Sequence, residues 1–375
     1  MKWSKLDYRI SLSYYNACRR IRAWFKPEPL VSEPKSIMVG ATVLLGDLVM
    51  QGPLIQALRR RYPHAKITLL VPKGWRDFAR AMLGVDDALE AELNHGRWLR
   101  KFRREHQGQW DLGVVPLVYP LIPFFYGVGI RSILSFPDPK GRRRYQIHRC
   151  AGLPVQAGHM SRMMLALLDE RDSRYPAPHL QVSGLALPGN LQGQSYVVIH
   201  PGASLPTRFW PSARYVLIAE QLLASGYHIV LTGSKGEIHL ADAIAKHLPE
   251  HSVTSLAGKT NLLELTNVLQ HAKAILGPDT GVLHIAKALA VPSVTLLGPT
   301  QKEIYGLDPN FHDVSHARTL YVPDLACRDS HTAFKQLIPG IANCRRKQCL
   351  YPDNPCLLGI EVAAVLSALT EINLL

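Results

Sequence analysis

The feature that most constrains this chain is an alternation of short apolar runs with amphipathic stretches that runs once from Ser36, breaks off, and restarts at Ser195. In the first series, residues 36–39, 66–71, 112–115 and 130–136 read as strands, and 47–61, 75–82, 95–105 and 159–169 as helices. Strands separated by helices build a parallel sheet. Residues 172–194 are rich in Pro, Gly and Ser and read as an interdomain linker. In the second series, 196–199, 228–231, 274–276 and 293–297 read as strands, and 213–224, 237–247, 262–271 and 282–289 as helices. The fold class is therefore α/β, with two doubly wound sheets facing one another across a cleft. Ligands in such sheets sit at the carboxyl ends of the strands. At 375 residues the chain is long enough for two cores, and a hydrophobic content of 47% excludes global disorder. The expected divisions are an extension at 1–30, a first domain at 36–172, a second at 195–350 and a C-terminal segment at 351–375.

Glycine turns at strand ends mark candidate chemistry. Gly277-Pro278-Asp279-Thr280-Gly281 closes a strand and opens a helix, where free amides and the helix dipole suit phosphate. Asp279 or Thr280 can cap that helix, and His284, one turn in, either reaches the same anion or packs as a core histidine. His200-Pro201-Gly202-Ala203-Ser204 forms a second such loop, followed by Arg208, whose planar fork suits a diphosphate. Glu237, just past Thr232-Gly233-Ser234, suits a ribose diol or serves as a first-turn helix acid. In the first domain, Asp47 follows Gly46 at the cleft mouth. A carboxylate there either takes a proton from an acceptor hydroxyl or caps the helix.

Charge bears on the partner. Lys and Arg number 43 against 29 Asp and Glu, giving +14, which points to nucleic acid, an anionic membrane surface or a phosphorylated substrate. No nucleic-acid motif with interleaved aromatics is recognisable, which demotes the first. Between residues 2 and 26, Lys2, Lys5, Arg9, Arg19, Arg20, Arg22 and Lys26 face only Asp7. Ile10, Tyr14, Ala17, Cys18, Ile21 and Trp24 recur at helical spacing in the same stretch. Two readings stand for it: a basic amphipathic helix lying on an anionic membrane, or a helix docked on the protein's own body. Further basic clusters are Arg97, Arg100, Lys101, Arg103 and Arg104, and Arg142, Arg143 and Arg144.

No run of about 20 apolar residues occurs, and the arginines near the N-terminus break any signal-peptide core. The expectation is a cytosolic chain whose six cysteines are reduced, metal-bound or buried. Cys327, Cys344, Cys349 and Cys356, separated by sixteen, four and six residues, either form a four-thiolate iron or zinc site or are buried free thiols.

Several motifs resemble those of the bacterial lipopolysaccharide heptosyltransferases, glycosyltransferase family nine. They are Leu45-Gly46-Asp47 with Pro53-Leu54-Ile55-Gln56-Ala57-Leu58, His200-Pro201-Gly202-Ala203-Ser204 with Arg208-Phe209-Trp210-Pro211, and Leu231-Thr232-Gly233 with Glu237. The last piece is Asp279-Thr280-Gly281 with His284-Ile285-Ala286 and the closing Gly298-Pro299-Thr300. The resemblance covers roughly residues 36–370. It implies a GT-B architecture, with a last helix, here 359–370, returning towards the first domain. It also implies inverting transfer from an ADP-sugar without a catalytic metal. By position, Asp47 is implied to be the general base. Arg208 stands where a lysine usually stabilises the leaving diphosphate. Ser204, Thr280, Gly281 and His284 are implied phosphate neighbours, Asp279 lies near the donor, and Glu237 is the ribose-binding acid. Ala41 departs from the Arg or Lys common in the family, and the basic N-terminal extension is unusual. One subgroup, which modifies autotransporters, carries an iron-bound cysteine finger, which bears on the cysteine block. The implied acceptor is a phosphorylated lipid A–core at the anionic inner membrane surface, where a basic protein would be held peripherally. The alternatives are another activated sugar, or a protein acceptor such as an autotransporter.

Overall fold

The structure, a computed structural model, describes residues 2–25, 31–117, 121–136, 149–150, 158–170, 173–175, 182, 184–333, 336–337, 342–344 and 346–375. The Arg142–Arg144 cluster, Lys26, and the side chains of Arg22 and Trp24 lie outside them, as does most of the expected linker before residue 184.

After the N-terminal helix α1 (Lys2–Phe25), the first domain runs β1 (Ser36–Gly40), α2 (Leu45–Val49), α3 (Gly52–Arg61), β2 (Lys66–Pro72), α4 (Arg76–Leu83) and β3 (Asp87–Ala91). It continues through α5 (Gly96–His106), β4 (Leu112–Val115), α6 (Leu121–Gly127), β5 (Ser132–Ser135), β6 (Arg149–Cys150) and α7 (Met160–Leu165). The second runs β7 (Tyr196–Ile199), α8 (Ser212–Ala224), β8 (His228–Leu231), α9 (Ile238–Ala245), β9 (Val253–Ser255), α10 (Leu262–Gln270), β10 (Ala274–Pro278) and α11 (Gly281–Ala288). After these come β11 (Ser293–Leu297), α12 (Lys302–Tyr305), β12 (Ala317–Tyr321), the short pair β13 (Thr332–Ala333) and β14 (Gln336–Leu337), α13 (Pro355–Leu358) and α14 (Val362–Glu371).

The two large sheets have the same topology. The first is ordered β3-β2-β1-β4-β5-β6 and the second β9-β8-β7-β10-β11-β12. Their strand pairs are parallel. In each, the order reverses beside the first strand, so a crevice opens past β1 and β4, and past β7 and β10. The central strands are buried on both faces: Ile37, Met38 and Val39 have no exposed surface. In the second sheet the side-chain alternation divides two cores. Tyr196, Val198, Val230 and Ile275 join a cluster that includes first-domain residues such as Leu54 and Met164. Val197, Ile199, Ile229 and Leu276 pack instead with α8, α9 and α14.

The helix expected over 47–61 is two helices. Met50 and Gln51 separate α2 from α3, and Pro53, which lacks an N–H, sits in the first turn of α3. The edge strands β3, β9 and β12 carry half-exposed polar residues and have no strong apolar signature. Helix α6 is buried on all sides, so it has no amphipathic period to read. The last helix packs on α8, β11 and β12 of its own domain rather than returning to the first. Val365, Ala368 and Leu369 fill that core, and the Trp210 indole donates to the Ile360 carbonyl at 3.0 Å. The domains meet at α2 against α11, and α7 adds an ion pair: Arg162 forks onto Asp308, with Nη2 3.0 Å from Oδ2.

Candidate active site

The crevice between the sheets encloses about 530 Å³, a size suited to a small ligand. Asp47, Ser204, Arg208, Glu237, Asp279, Thr280, Gly281 and His284, eight residues named from the sequence, all line it. The structure therefore brings together strand-end loops that lie up to 237 positions apart in the chain.

Asp47 is in the first turn of α2, three residues beyond the N-cap Leu44. Its carboxylate accepts from the Leu44 backbone, which sets its direction. Burial, and secondarily the charge of Asp279, pushes its pKa up to about 6; the Leu44 hydrogen bond and Arg208 act the other way. A carboxylate tuned there is ionised at neutral pH yet basic enough to accept a proton.

Gly46 and Gly281 let α2 and α11 meet end to end. A Cβ on Gly46 would lie 2.8 Å from Cδ2 of His284, and one on Gly281 would lie 2.5 Å from Cβ of Leu45. The first turns of two helices, one from each domain, are thereby held against each other.

Asp279 and His284 form a buried pair, with Nε2 of His284 3.1 Å from Oδ1 of Asp279. Burial opposes the Asp279 charge, but His284, Lys287 and Arg208 more than offset it and hold the carboxyl below its ordinary range. Burial first, then Lys287, lowers the His284 pKa, leaving a neutral ring. Nδ1 of the ring and Oδ1 of Asp279 are both buried without an aligned hydrogen-bond partner. Thr280 is the N-cap of α11, but its hydroxyl is not used for capping and is also buried unpartnered.

Arg208 ends a single 3-10 turn (Pro206–Arg208) in the loop after β7. Its Nη1 donates to the Asp279 carbonyl at 3.1 Å and stands 3.9 Å from Oδ2 of the same residue. Its Nε is buried with no acceptor. An orphaned guanidinium N–H beside the open amides of a helix N-terminus is a site for an anion. Glu237 accepts from the Ser234 N–H at 2.7 Å in a capping box. Its carboxyl group lies over Gly202, where a Cβ would come within 2.4 Å of Cδ. Ser204 is exposed on the same rim.

Sequence reasoning gave no role to His200, Trp75, Met50 or Tyr305, which also line the cleft. His200 Nδ1 is 3.0 Å from the Thr232 hydroxyl, and burial takes its pKa down to about 4. Lys287, one turn beyond His284, is buried, with its Nζ 3.4 Å from the Tyr305 carbonyl. A lysine three residues after a buried histidine on an otherwise apolar helix face was the available signal for it.

The cysteine block buttresses the rim rather than the cleft. The Cys344 N–H donates to the Pro299 carbonyl at 2.7 Å, and Arg328 Nη2 to the Gly298 carbonyl at 2.7 Å. Cys327, Cys344, Cys349 and Cys356 are free thiols. Cys356 Sγ donates to Asn354 Oδ1 at 3.2 Å, and burial, reinforced by the three other cysteines, raises its pKa to about 11. Among the described residues no group of three or more His, Cys, Asp or Glu is placed to hold a metal.

Two domains of identical parallel-sheet topology facing one another across a cleft define the GT-B architecture. The family model of glycosyltransferase family 9 (heptosyltransferase) matches residues 159–337, a little under half of the chain. The chain is 28% identical over 300 residues to lipooligosaccharide heptosyltransferase 2 of Haemophilus influenzae, covering 72% of this chain and 84% of that one. It is likewise 28% identical over 305 residues to lipopolysaccharide heptosyltransferase 2 of Escherichia coli K12, again 72% and 84%. The solved E. coli ADP-heptose lipopolysaccharide heptosyltransferase II shares the fold, with a TM-score of 0.69 and 24% identity over 90% of this chain and 98% of that one.

Proposed function

We propose that this protein transfers a heptose from ADP-heptose to the lipopolysaccharide inner core, with the lipid A–core glycolipid as acceptor and inversion at the anomeric carbon. The observation that carries the reading is Asp47, its pKa raised to about 6, lining the same cleft as Arg208 and the open N-terminus of α11. The curated relatives that match most of the chain are named as heptosyltransferases of this substrate class.

In this reading the ADP diphosphate lies against the first turn of α11. The orphaned Arg208 Nε and the Thr280 hydroxyl donate to its oxygens, and Glu237 accepts from the ribose hydroxyls over Gly202. Asp47 takes the proton of the acceptor hydroxyl as that oxygen attacks the anomeric carbon. The bond from that carbon to the diphosphate oxygen breaks, and the electron pair leaves with ADP. Positive charge fixed beforehand at Arg208 and the helix terminus stabilises the departing diphosphate, where charge grows most. The neutral His284 and buried Lys287 hold Asp279 ionised, and Asp279 in turn receives Arg208 on its carbonyl and carboxylate. Asp279 thus positions the cation and, through its charge, helps keep Asp47 basic. The acceptor enters from the first-domain side, past Trp75 and Leu44, and is presented at an anionic membrane surface on which the protein sits peripherally. Among the described residues no helix is long and apolar enough to cross a membrane.

The test is to incubate the purified protein with ADP-heptose and heptose-deficient core glycolipid and to weigh the acceptor by mass spectrometry. A gain of one heptose with equimolar ADP is expected; an unchanged mass with every core acceptor would remove the proposal.

A further inference from the structure

The sequence left helix α1 with two readings, membrane or body, and the structure divides them between two faces. One face is docked. Tyr8 and Arg19 are buried and Leu12 and Tyr15 partly so, on α5 and α6. Arg19 Nη1 donates to the Tyr126 carbonyl at 2.7 Å, and its guanidinium lies 4.3 Å over that ring. Arg100 Nη1 meets Asp7 Oδ1 at 2.6 Å, and Gly96 lets α1 approach because any Cβ there would strike the Asp7 carboxylate.

The opposite face is exposed. At 100° per residue, Leu6, Ile10, Tyr14, Ala17 and Ile21 fall on one stripe facing away from the docked side. Leu6, Ile10, Tyr14 and Ile21 are 48%, 61%, 64% and 61% exposed, so large apolar side chains stand in solvent along most of a helix about 36 Å long. Helix α1 is thus apolar on both faces, and the docked face does not account for the outer one. Lys5, Arg9 and Arg20 are exposed along one edge of the stripe. Helix α5 lies against the other edge, which carries Asp7 and Ser11, and adds exposed Arg97, Lys101 and Arg104.

We propose that this outer face of α1 is a membrane-docking surface for an anionic phospholipid bilayer, fixing the first domain on the lipid with its cleft open to a glycolipid acceptor. An apolar stripe bordered by basic residues is the pattern of a helix lying in the interface plane, apolar side chains among the acyl chains and cations at the headgroups. Charge selects this occupant: a bilayer offers apolar depth and negative charge together. Because α1 is also packed on α5 and α6, docking orients a whole domain and not only a tether. The proposal refines the membrane-bound acceptor of the preceding section, but its test needs no acceptor.

The full-length protein is floated with vesicles of phosphatidylcholine alone and of phosphatidylcholine with phosphatidylglycerol. The expected result is binding to the anionic vesicles, weakened by salt, and little to the neutral ones. The triple variant Leu6→Ser, Ile10→Ser, Ile21→Ser changes only exposed positions and is expected to keep its melting temperature and ADP affinity while losing at least roughly tenfold in vesicle affinity. Lys5→Glu with Arg9→Glu should give a similar loss that high salt masks. No flotation with anionic vesicles, or equal flotation of the serine variant, overturns the proposal. Self-association of the native chain that the serine variant abolishes, without vesicle binding, would assign the face to a second copy and also overturn it. Failure of heptose transfer with intact vesicle binding would remove the enzymatic reading and leave this one standing.

Discussion

Asp47 is held in its cleft at a cost to the fold, and that cost can be measured. Its pKa rises from an ordinary 3.8 to about 6, chiefly because burial disfavours the charge. At about 1.4 kcal/mol per pH unit, the ionised side chain destabilises the native state by about 3 kcal/mol; water in the cleft screens this to about 2 kcal/mol. The folded chain holds the proton more tightly than the unfolded one. The penalty is therefore fully present above pH 6 and disappears as pH falls through 6 towards 3.8. Asp47→Asn removes the charge, keeps an acceptor for the Leu44 backbone, and should raise stability at pH 7.5 by about 2 kcal/mol. In a chain of this size that is a few degrees in melting temperature. The assay is thermal unfolding of both proteins from pH 4 to 8. The gap should be widest above pH 7 and close near pH 4. A variant less stable than the native chain at pH 7.5, or a gap independent of pH, would refute the placement of a strained carboxylate here. The same titration predicts an acid limb in kcat/KM centred near pH 6, falling about tenfold per unit below it.

Other outcomes follow from the same geometry. Arg208→Ala should lower kcat by about 10² to 10³ by removing a donor to the leaving diphosphate, with Arg208→Lys recovering part of it, as steady-state ADP release will show. Gly281→Ala places a Cβ 2.5 Å from that of Leu45, a backbone-proximal atom that cannot swing aside. The domains must part, and about 1–3 kcal/mol of stability should be lost in chemical denaturation. Trp75→Ala should raise the acceptor KM while leaving ADP affinity by calorimetry unchanged, because Trp75 lines the cleft from the first domain. Elemental analysis should find no stoichiometric iron or zinc on the free cysteine block; about one metal per chain would show that its thiols close around an ion.

What could be read from sequence, and what could not, follows from where the information lies. The central strands were legible because burial on both faces makes them largely apolar runs, as at Ile37–Val39 and at β7, β8 and β11, whose limits match the sequence reading residue for residue. The edge strands β3, β9 and β12 were not, since solvent on one side lets polar residues in. The glycine turns marked the strand ends that form the cleft, because a close backbone approach restricts the residue type locally. The partners of the site residues were invisible. That Asp279 would meet His284 and Arg208, that Gly46 would lie on His284, or that α14 would pack on its own domain depends on tertiary contact alone. For α1, periodicity revealed an amphipathic helix, but only the structure distinguished the face that docks from the face that does not.

The central claim is that Asp47 is the base of a transfer reaction and not merely a helix-end acid. The most direct measurement compares ADP release by the native protein and by Asp47→Ala, with ADP-heptose and heptose-deficient core glycolipid, alongside ADP affinity by calorimetry. The account predicts acceptor-dependent release by the native protein, none above background by the variant, and ADP affinities within a few fold. Turnover by Asp47→Ala at the native rate would contradict it.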